Sequence, residues 1–561
     1  MRVYEALAAA CRRQGAEVAF GLAGDGNVKF AHHWAKECGG RYIAARHETG
    51  AVAMAFGYAR STGRTGLATV TQGPGLTNAL TALTAAGRGC EPLVLVTGMP
   101  PTGLPGHPQT IDQRALLETA GAGLQDVDPE HVLRDVGRAF ERARRERRPV
   151  GICVPTDVQD GPGEHVSLAA AAAADWVDQR VADQPAATDP QSIGVAAGLV
   201  ARAERPLVVA GRGAIASPGA RQALEALADR IGALLATTLP IRGFFSGHPW
   251  DVGVIGGFSP ALTVEEVGRA DCVLVFGGSL NYRATRSGSL FGDDAAVIQC
   301  DVLEEPPGAS VPVDHRIVGD AAVTARALAA ELARSGFSGG GARSPALAER
   351  LGRGAVHEPY EDLSEEGQVD SRSLMLRLDQ LLPPERTVTV DGGHSAGFPS
   401  VYLRVPDHRG YLFSLEFAAI GLGLGTAIGA AVGRPDRLSV LVVGDGALLM
   451  SLPDLETAAR YGIPVVVVVM NDRAYGSELA ILDAGNLAPD VGLFENPSFA
   501  EVARSMGARG RTIHSLADIE DVAPELERLD GPLLLDCEIH QGLRGPWIKG
   551  AFNRSLPAGR R

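Results

Sequence analysis

The sequence lacks any Cys-x-x-Cys pair, and its seven cysteines are scattered and odd in number. This pattern indicates reduced, mostly buried thiols in a cytoplasmic protein and argues against a disulfide framework. The chain also lacks an apolar run long enough to span a membrane, and residues 1–15 indicate an amphipathic helix without the apolar core of a signal peptide. With a formal net charge of −14 and no basic stripe, neither nucleic acid nor an anionic membrane is an expected partner.

A chain of 561 residues is too long for one hydrophobic core, and three domains are expected. Apolar strand-like runs alternate with helical stretches rich in Ala, Leu and Arg, a pattern typical of parallel α/β sheets. We therefore predict an α/β protein with three doubly wound parallel-sheet domains at residues 1–166, 190–335 and 370–545. Linkers of biased composition should separate these domains, and the basic tail at 546–561 should be irregular, as a disordered end or a mobile flap.

The second of these units carries a Gly-x-Gly turn, Gly211 to Gly213, directly after an apolar run. Such a turn is a weak signal for a dinucleotide site unless an acidic partner follows about 20 residues later. A tight strand-to-helix turn is the alternative, and we favour it here.

Two apolar runs in the last third of the chain each end in an acidic residue. The run "VLVVGDG" places Asp445 between glycines, and "VVVVVMND" places Asp472 27 residues later, after one helix and one strand. That spacing is one βαβ unit, so both carboxylates should lie at neighbouring strand ends, where open α/β sheets bind ligands. The amides of "GDGA" and the following helix N-terminus can hold a diphosphate, and the carboxylates suit Mg²⁺.

These segments resemble the signature of thiamine-diphosphate enzymes of the acetolactate synthase, pyruvate decarboxylase and benzaldehyde lyase type. The resemblance implies that Asp445, Asp472 and the main-chain oxygen of Ala474 hold Mg²⁺. It also implies cofactor contacts from the glycine-rich turn and from the segment after Asp472, namely Gly444, Gly446, Ala447, Tyr475 and Gly476. Asp472 departs from the family, which has Asn at this position. A shift of one residue would make Asn471 the ligand instead.

The N-terminal third of the chain carries an independent match. The segment "ARHETGAVAMA" places Glu48 before small apolar residues. The family has here the acid that hydrogen-bonds the cofactor's aminopyrimidine ring and promotes loss of the thiazolium C2 proton. Taken alone, an acid at a helix N-terminus is also explained by the helix dipole. The following "TQGPGLTN" resembles the family's close-approach turn and adds Gly73, Pro74 and Asn78 to the expected cofactor contacts.

Two further segments resemble family elements around the diphosphate. The segment "DGGHSAG" implies phosphate contacts from His394 and Ser395. The segment "AAIGLGLGTAIGA" places Ile420 25 residues before Asp445, the position of the bulky apolar residue that bends the cofactor into a V shape. A buried glycine-rich helix would also explain the composition of this second segment.

The residues expected on the substrate side indicate two different reactions. Asp25 and Glu478 match two acids of the pyruvate decarboxylase type that could transfer protons, although a glycine-rich turn and a helix cap would also explain them. That subgroup's His-His pair is absent, and His107 is a weak substitute. Gln113 instead resembles the glutamine of many carboligases. The run "FGGSLNYRATRSG" replaces a characteristic segment of the acetolactate synthases, which argues against FAD.

The sequence therefore predicts a thiamine-diphosphate- and Mg²⁺-dependent enzyme that decarboxylates a 2-oxo acid, ligates the acyl-anion equivalent to a second carbonyl, or does both. A lyase or acyltransferase acting on another substrate is the enzymatic alternative. A non-catalytic relative that only binds the cofactor is the alternative from a different class. The family builds each site from Glu48 of one subunit and the metal-binding end of another, which implies a homodimer or homotetramer.

Overall fold

The computed structural model describes residues 1–167, 188–306, 308–337, 341–352 and 359–548. Within these residues the strands form three parallel six-stranded sheets, with helices between most consecutive strands. This arrangement confirms the predicted α/β fold with three doubly wound sheets.

The first sheet lies in the N-terminal unit. Its strands are β1 (Val18–Gly21), β2 (Arg41–Ala44), β3 (Gly66–Val70), β4 (Leu93–Met99), β5 (Gly123–Gln125) and β6 (Pro149–Pro155). Their order in the sheet is β2-β1-β3-β4-β6-β5. The helices of this unit are Val3–Arg13, Val28–Lys36, Glu48–Thr62, Pro74–Arg88, Gln113–Thr119, Val132–Glu146 and Thr156–Gln159.

The second sheet forms the central unit. Its strands are β7 (Pro206–Ala210), β8 (Leu234–Thr238), β9 (Asp251–Ile255), β10 (Cys272–Phe276), β11 (Ala296–Asp301) and β12 (His315–Val318), in the order β12-β11-β10-β7-β8-β9. The helices are Pro190–Val200, Arg212–Ile215, Ala220–Ile231, Ala261–Gly268, Ala321–Arg334 and Pro345–Gly352, with a 3-10 turn at Leu239–Ile241.

The third sheet lies in the C-terminal unit. Its strands are β13 (Arg386–Val390), β14 (Tyr411–Phe413), β15 (Leu438–Gly444), β16 (Val465–Asn471), β17 (Arg509–Ile513) and β18 (Leu533–Glu538), in the order β14-β13-β15-β16-β18-β17. The α-helices are Ser371–Leu381, Gly397–Tyr402, Gly423–Gly433, Asp445–Ser451, Pro453–Arg460, Gly476–Ala484, Phe499–Ser505 and Leu516–Leu526. The 3-10 turns are His394–Ala396, His408–Gly410 and Asp490–Gly492.

The central strands of the third sheet read as continuous apolar runs because helices cover both faces of the sheet. Every residue of β16 is buried, and five consecutive valines, 465–469, form most of it. β-Branched side chains suit the extended backbone and fill both layers, so this run specifies a buried parallel strand. The first polar side chains after such a strand lie at its carboxyl end.

A shared hydrophobic cluster joins the first and third units through the helices Glu48–Thr62 and Gly423–Gly433. Small residues let these two helices touch along their backbones. A Cβ atom on Gly425 would lie 2.8 Å from the Cβ of Ala53, and one on Gly429 would overlap the carbonyl of Met54. The contact therefore requires glycine at both positions, which fixes the Glu48 helix against the unit that carries Asp445.

The Gly-x-Gly turn of the central unit is filled by protein. A Cβ on Gly211 would overlap the carbonyl oxygen of Gly277, and one on Gly213 would lie 2.6 Å from the Cα of Gly277. The amide of Gly213 also donates a hydrogen bond to that carbonyl, at 2.8 Å. Close packing of two loops explains both glycines, in agreement with the tight turn that we favour from the sequence.

The regions between the predicted domains are only partly described. The first expected linker, which begins at Ser167, falls mostly on residues 168–187, outside the described residues, and so does most of the tail, residues 549–561. The helix Pro345–Gly352 forms within the second expected linker because Leu347 packs into the central core. Trp547 and Ile548 likewise pack into the core of the third unit, which differs from the irregular tail expected there.

Candidate active site

The third sheet reverses its strand order between β13 and β15, and the loops after these two strands face each other there. Ligands of open α/β sheets bind at this kind of switch point, outside the carboxyl ends of the strands. The segment after β13 carries His394 and Ser395, while β15 ends at Gly444 and Asp445 begins the next helix. The side chain of Ser395 lies near Gly444, where a Cβ would be 3.4 Å from its Oγ atom.

Asp445 is buried at the start of the helix Asp445–Ser451, with an exposed fraction of 1%. Its Oδ1 accepts a hydrogen bond from the amide of Gly446, and its Oδ2 accepts one from Asn496 Nδ2, both at 2.7 Å. Burial raises the pKa of Asp445 above its ordinary value despite these bonds. A cation at this position would compensate for the unfavourable buried charge.

Asp472 follows β16 and lies close enough to Asp445 to interact with its charge. Burial, and then the negative charge of Asp445, raise the pKa of Asp472 to about 7. The two carboxylates lie at neighbouring strand ends, as the spacing in the sequence predicts, and oxygen ligands of this kind could hold a hard cation. Within the described ranges no cluster of three or more His, Cys, Asp or Glu side chains is arranged to hold a metal. A metal held by two carboxylates would therefore need main-chain or external oxygens as further ligands.

The side chain of Asn471 is already used in hydrogen bonds to other side chains of the protein. Its Nδ2 donates to Asp536 at 2.9 Å, and its Oδ1 accepts from Asn496 Nδ2 at 2.9 Å. Asn496 thus bridges Asn471 and Asp445, and sequence reasoning did not identify it. It lies 51 residues after Asp445, in a loop without a recognisable motif. These bonds favour Asp472 over Asn471 as the side chain available to a ligand.

The segment after Asp472 turns sharply around the acidic pair. Arg473 has a positive φ of 56°, and Ala474 pairs with Leu493 in an isolated antiparallel bridge. A Cβ on Gly476 would lie 3.0 Å from Asp472 Oδ2 and 3.2 Å from His394 Nδ1. This glycine is therefore a point where the loops after β13 and β16 meet. The ring of Tyr475 packs against Gly446 in the same way, 2.5 Å from the position of a Cβ.

The imidazole of His394 is buried and uncharged, and it presents an N–H group to the point where these two loops meet. Its Nε2 accepts a hydrogen bond from the amide of Gly545 at 3.1 Å, so the proton of the neutral ring belongs on Nδ1. Burial, and then the charge of Arg544, lower the pKa of His394 to about 4. Trp547 covers the ring and donates to the carbonyl of His394 at 3.1 Å. An uncharged N–H facing Gly476 suits a phosphate oxygen.

Asp391 organises the loop that carries Ile420. Its fully buried carboxylate accepts hydrogen bonds from the amides of Gly421 and Gly423, at 3.1 and 2.8 Å for Oδ2. Ile420 itself lies against the turn after β13, where a Cβ on Gly392 would be 2.9 Å from its Cγ2. Asp391 was present in the quoted "DGGHSAG" segment, but its role as an internal acceptor could not be seen in the sequence.

In the first unit the structure brings Glu48 and Asn78 together. Glu48 is buried as the first residue of its helix, and its Oε2 accepts a hydrogen bond from Asn78 Nδ2 at 3.1 Å. A Cβ on Gly75 would lie 3.5 Å from Glu48 Oε1. Gly73 adopts a positive φ of 60° before Pro74 starts the next helix. The close-approach turn and the acid thus form one cluster, as the resemblance implies.

The three predicted substrate-side residues have different surroundings. Asp25 lies at the switch point of the first sheet, between β1 and β3, where Oδ1 accepts from Thr71 Oγ1 at 2.8 Å. Gln113 is 2% exposed, and its amide bonds the backbone of Gly73 and Gly98 at 3.2 and 3.0 Å. Glu478 is exposed in the first turn of the helix Gly476–Ala484.

Family comparisons agree with this geometry over all three units. Residues 1–116, 193–328 and 391–537 match the N-terminal TPP binding domain, the central domain and the C-terminal TPP binding domain of thiamine pyrophosphate enzymes. The chain therefore belongs to the thiamine pyrophosphate enzyme family, and within it is of the acetolactate synthase-like type.

Similar proteins carry different activities in their names. A probable acetolactate synthase large subunit of Methanocaldococcus jannaschii is 29% identical over 96% of this chain and 92% of its own length. A sulfoacetaldehyde acetyltransferase of Alcaligenes xylosoxydans is 29% identical, over 96% and 91%. A probable 2-ketoarginine decarboxylase of Pseudomonas aeruginosa is 30% identical, over 92% and 90%. In the part of the chain that the structure covers, no helix is long and apolar enough to cross a membrane.

Proposed function

We propose that this protein is a thiamine-diphosphate- and Mg²⁺-dependent enzyme that decarboxylates a 2-oxo acid and transfers the acyl unit to a proton or to a second carbonyl. The observation that carries the proposal is the pair formed by the buried Asp445 and the half-buried Asp472, at the switch point of the third sheet and beside the neutral donor His394. An acidic pair of this kind is stabilised by a divalent cation, and the donor beside it suits the phosphates that such a cation binds.

The residues present fit both groups. Asp445, Asp472 and the main-chain oxygen of Ala474 would hold Mg²⁺, and the amides from Gly444 to Ala447 would bind the diphosphate together with His394 and Ser395. Ile420, Tyr475 and Gly476 would line the cofactor between the two ends. When bound, thiamine diphosphate supplies an electron sink for cleavage of a bond next to a carbonyl.

The chain's own side chains would transfer protons and orient the cofactor and the substrate. Glu48 is held by Asn78 and would bind a ring nitrogen of the cofactor's pyrimidine, which requires a buried carboxyl group at a fixed position. Asp25 and Glu478 are the acids proposed to move protons on the substrate side. Gly73 and Pro74 set the backbone of this turn, and Gly75 leaves the space beside Glu48 Oε1 free of a side chain.

We also propose that the active form is a homodimer or homotetramer with sites between subunits. Large apolar side chains border the acidic pair on the surface of this chain: Leu449, Met450, Tyr475 and Leu493 are exposed, Met450 to 63%. An exposed apolar border of this kind favours coverage by another protein surface.

The same proposal includes the domain limits 1–166, 190–335 and 370–545. It also includes a cytoplasmic location, in keeping with the seven free thiols.

The test is to load the purified protein with thiamine diphosphate and Mg²⁺ and to measure CO₂ release from a panel of 2-oxo acids. Each acid is offered alone, with an aldehyde, and with a second oxo acid, and products are identified by mass spectrometry. An aldehyde product assigns a decarboxylase, and a hydroxyketone or acetohydroxy acid assigns a carboligase. Tight cofactor binding without any product from any acid would contradict the proposal and favour the non-catalytic alternative or an unrelated substrate.

The similarity to sulfoacetaldehyde acetyltransferases supports one further candidate, an acyltransferase or lyase that starts from a substrate other than a 2-oxo acid. The same panel should therefore include sulfoacetaldehyde with inorganic phosphate. Formation of acetyl phosphate and sulfite, without CO₂, would assign this reaction.

A further inference from the structure

Gln72 connects two side chains that reach the switch point of the first sheet from different loops. Its Nε2 donates to Asp25 Oδ2 at 3.1 Å and to Gln109 Oε1 at 2.7 Å. A side-chain amide nitrogen carries two hydrogens, so these bonds use both of them. Gln72 is completely buried, with an exposed fraction of 0%. Asp25 and Gln109 are therefore brought close together because both accept hydrogen bonds from Gln72 Nε2.

The surrounding backbone leaves room for Gln72 in this orientation only because Gly26 has no side chain. A Cβ on Gly26 would overlap Gln72 Oε1. The amide of Gly26 donates to Thr71 Oγ1 at 3.1 Å, and the same hydroxyl group contacts Asp25 Oδ1 at 2.8 Å. Both oxygens of Asp25 are thus held by uncharged donors.

The orientation of the Gln109 amide follows from its bond with Gln72. Because Oε1 of Gln109 accepts that bond, its Nε2 group faces away from Gln72. Gln109 is partly exposed, and none of the hydrogen bonds found in the described residues uses its Nε2. Gln113 differs, since both ends of its amide bond the backbone. Gln109 has the available donor at this switch point.

We propose that Gln72 positions Asp25 and Gln109 as a paired acceptor and donor for the oxygen of an acceptor carbonyl, from an aldehyde or a second oxo acid. This assignment rests on the proposed function. As the new carbon–carbon bond forms, the carbonyl π bond breaks and its electron pair moves to oxygen. That oxygen takes one proton from the solvent and becomes a hydroxyl group. Gln109 Nε2 donates to the oxygen while it is an acceptor, and Asp25 accepts from the resulting hydroxyl group.

The positioning role is tested without turnover. Hydrogen–deuterium exchange of the full-length protein is compared between wild type and Gln72→Met, which keeps the side-chain length and removes the amide. We expect faster exchange in peptides covering residues 22–27 and 105–110, with unchanged exchange in the central unit. Unchanged exchange in both peptides would overturn the positioning role. If Gln72→Met does not fold, Gln109→Met must still accelerate exchange at 105–110.

The chemical role is tested with the cofactor-loaded enzyme, from the ratio of ligated product to released CO₂. Gln109→Met should lower this ratio about tenfold, in line with loss of one hydrogen bond to a developing charge. Gln191→Met, a change of an exposed glutamine in the central unit, is the matched control and should leave the ratio unaltered. An unchanged ratio in Gln109→Met, or a wild type that releases CO₂ but ligates no aldehyde or oxo acid, would refute the role. A wild type inactive with every substrate contradicts the proposed function instead, and the exchange experiment still decides the positioning by Gln72.

Discussion

The charge of Asp445 acts on Asp472 across the ends of two neighbouring strands, and together with burial it raises the pKa of Asp472 to about 7. A raised pKa means that the folded, metal-free protein binds a proton more tightly than the unfolded chain does. This contribution to stability is complete below the ordinary pKa of an aspartate and is lost as the pH rises to about 7. Above that pH both carboxylates are charged, and a cation between them would reduce their repulsion.

We therefore expect Mg²⁺ binding, measured by calorimetry in the presence of thiamine diphosphate, to weaken as the pH falls below about 7. Protons and Mg²⁺ compete for the same carboxylate, so the affinity should fall by up to about tenfold per pH unit. Asp472→Asn should retain Mg²⁺ binding and lose most of this pH dependence. If Asn471→Ala alone abolishes binding, the ligand lies one residue earlier than we propose.

Replacing Glu48 by Gln should separate cofactor binding from turnover. The amide keeps the size of the side chain but cannot act as the acid toward the pyrimidine ring, so turnover should fall by at least about a hundredfold. Cofactor affinity, measured by fluorescence titration, should change by less than a few-fold. Glu527→Gln, at an exposed position on the third unit, is the control. A fully active Glu48→Gln variant would show that the assignment of Glu48 is wrong.

Trp547→Ala should weaken both the third unit and its affinity for thiamine diphosphate. The indole packs on Phe398, with ring centroids 4.8 Å apart, and bonds the carbonyl of His394. Loss of a buried tryptophan costs about 3–5 kcal/mol, which should appear as a lower Tm. Trp250→Ala makes the same change in the central unit and should lower Tm without altering cofactor affinity. Equal affinity losses in both variants would mean that Trp547 has no specific effect on His394.

Glu416→Gln should destabilise the protein far more than loss of an exposed ion pair. Glu416 lies between Arg60 of the first unit and Arg212 of the central unit, at 2.8 and 2.9 Å. Burial would raise the pKa of Glu416, but the two arginines hold it below its ordinary value. The substitution removes the carboxylate partner of Arg212 and leaves Arg60 with only the more distant Glu91, at 3.8 Å, a loss that costs about 3–5 kcal/mol.

The matched control for this prediction is Glu456→Gln, which removes the solvent-exposed pairs with Arg46 and Arg460 and should change stability little. Thermal unfolding of both variants measures the difference. Similar shifts in Tm would contradict the proposed importance of the buried pair.

The sequence was sufficient to predict the features that depend on short-range order along the chain. The valine run before Asn471 defined a buried strand, and a spacing of one βαβ unit placed Asp445 and Asp472 at neighbouring strand ends. The turn at Gly73 and Pro74 was expected from the resemblance to the family, and the positive φ of Gly73 explains why glycine stands there.

Features that depend on contacts between distant segments could not be predicted. Asn496 reaches Asp445 across 51 residues, and Gly545 reaches His394 across 151. Nothing in the composition around either residue indicates these contacts. Gln113 is a further example. The sequence identified the residue, but its amide bonds Gly73 and Gly98, and that direction depends on the packed fold.

The filled Gly-x-Gly turn of the central unit also joins this unit to the other two. Arg212 stands between the two packed glycines, and from there it bonds the carbonyl of Arg88 in the first unit and the carboxylate of Glu416, four residues before Ile420. In many α/β sheets the loop at this position binds a ligand, whereas here it makes contacts between units of the same chain. Larger side chains at Gly211 or Gly213 would therefore disturb the contacts that join the central unit to the first unit and to the segment before Ile420.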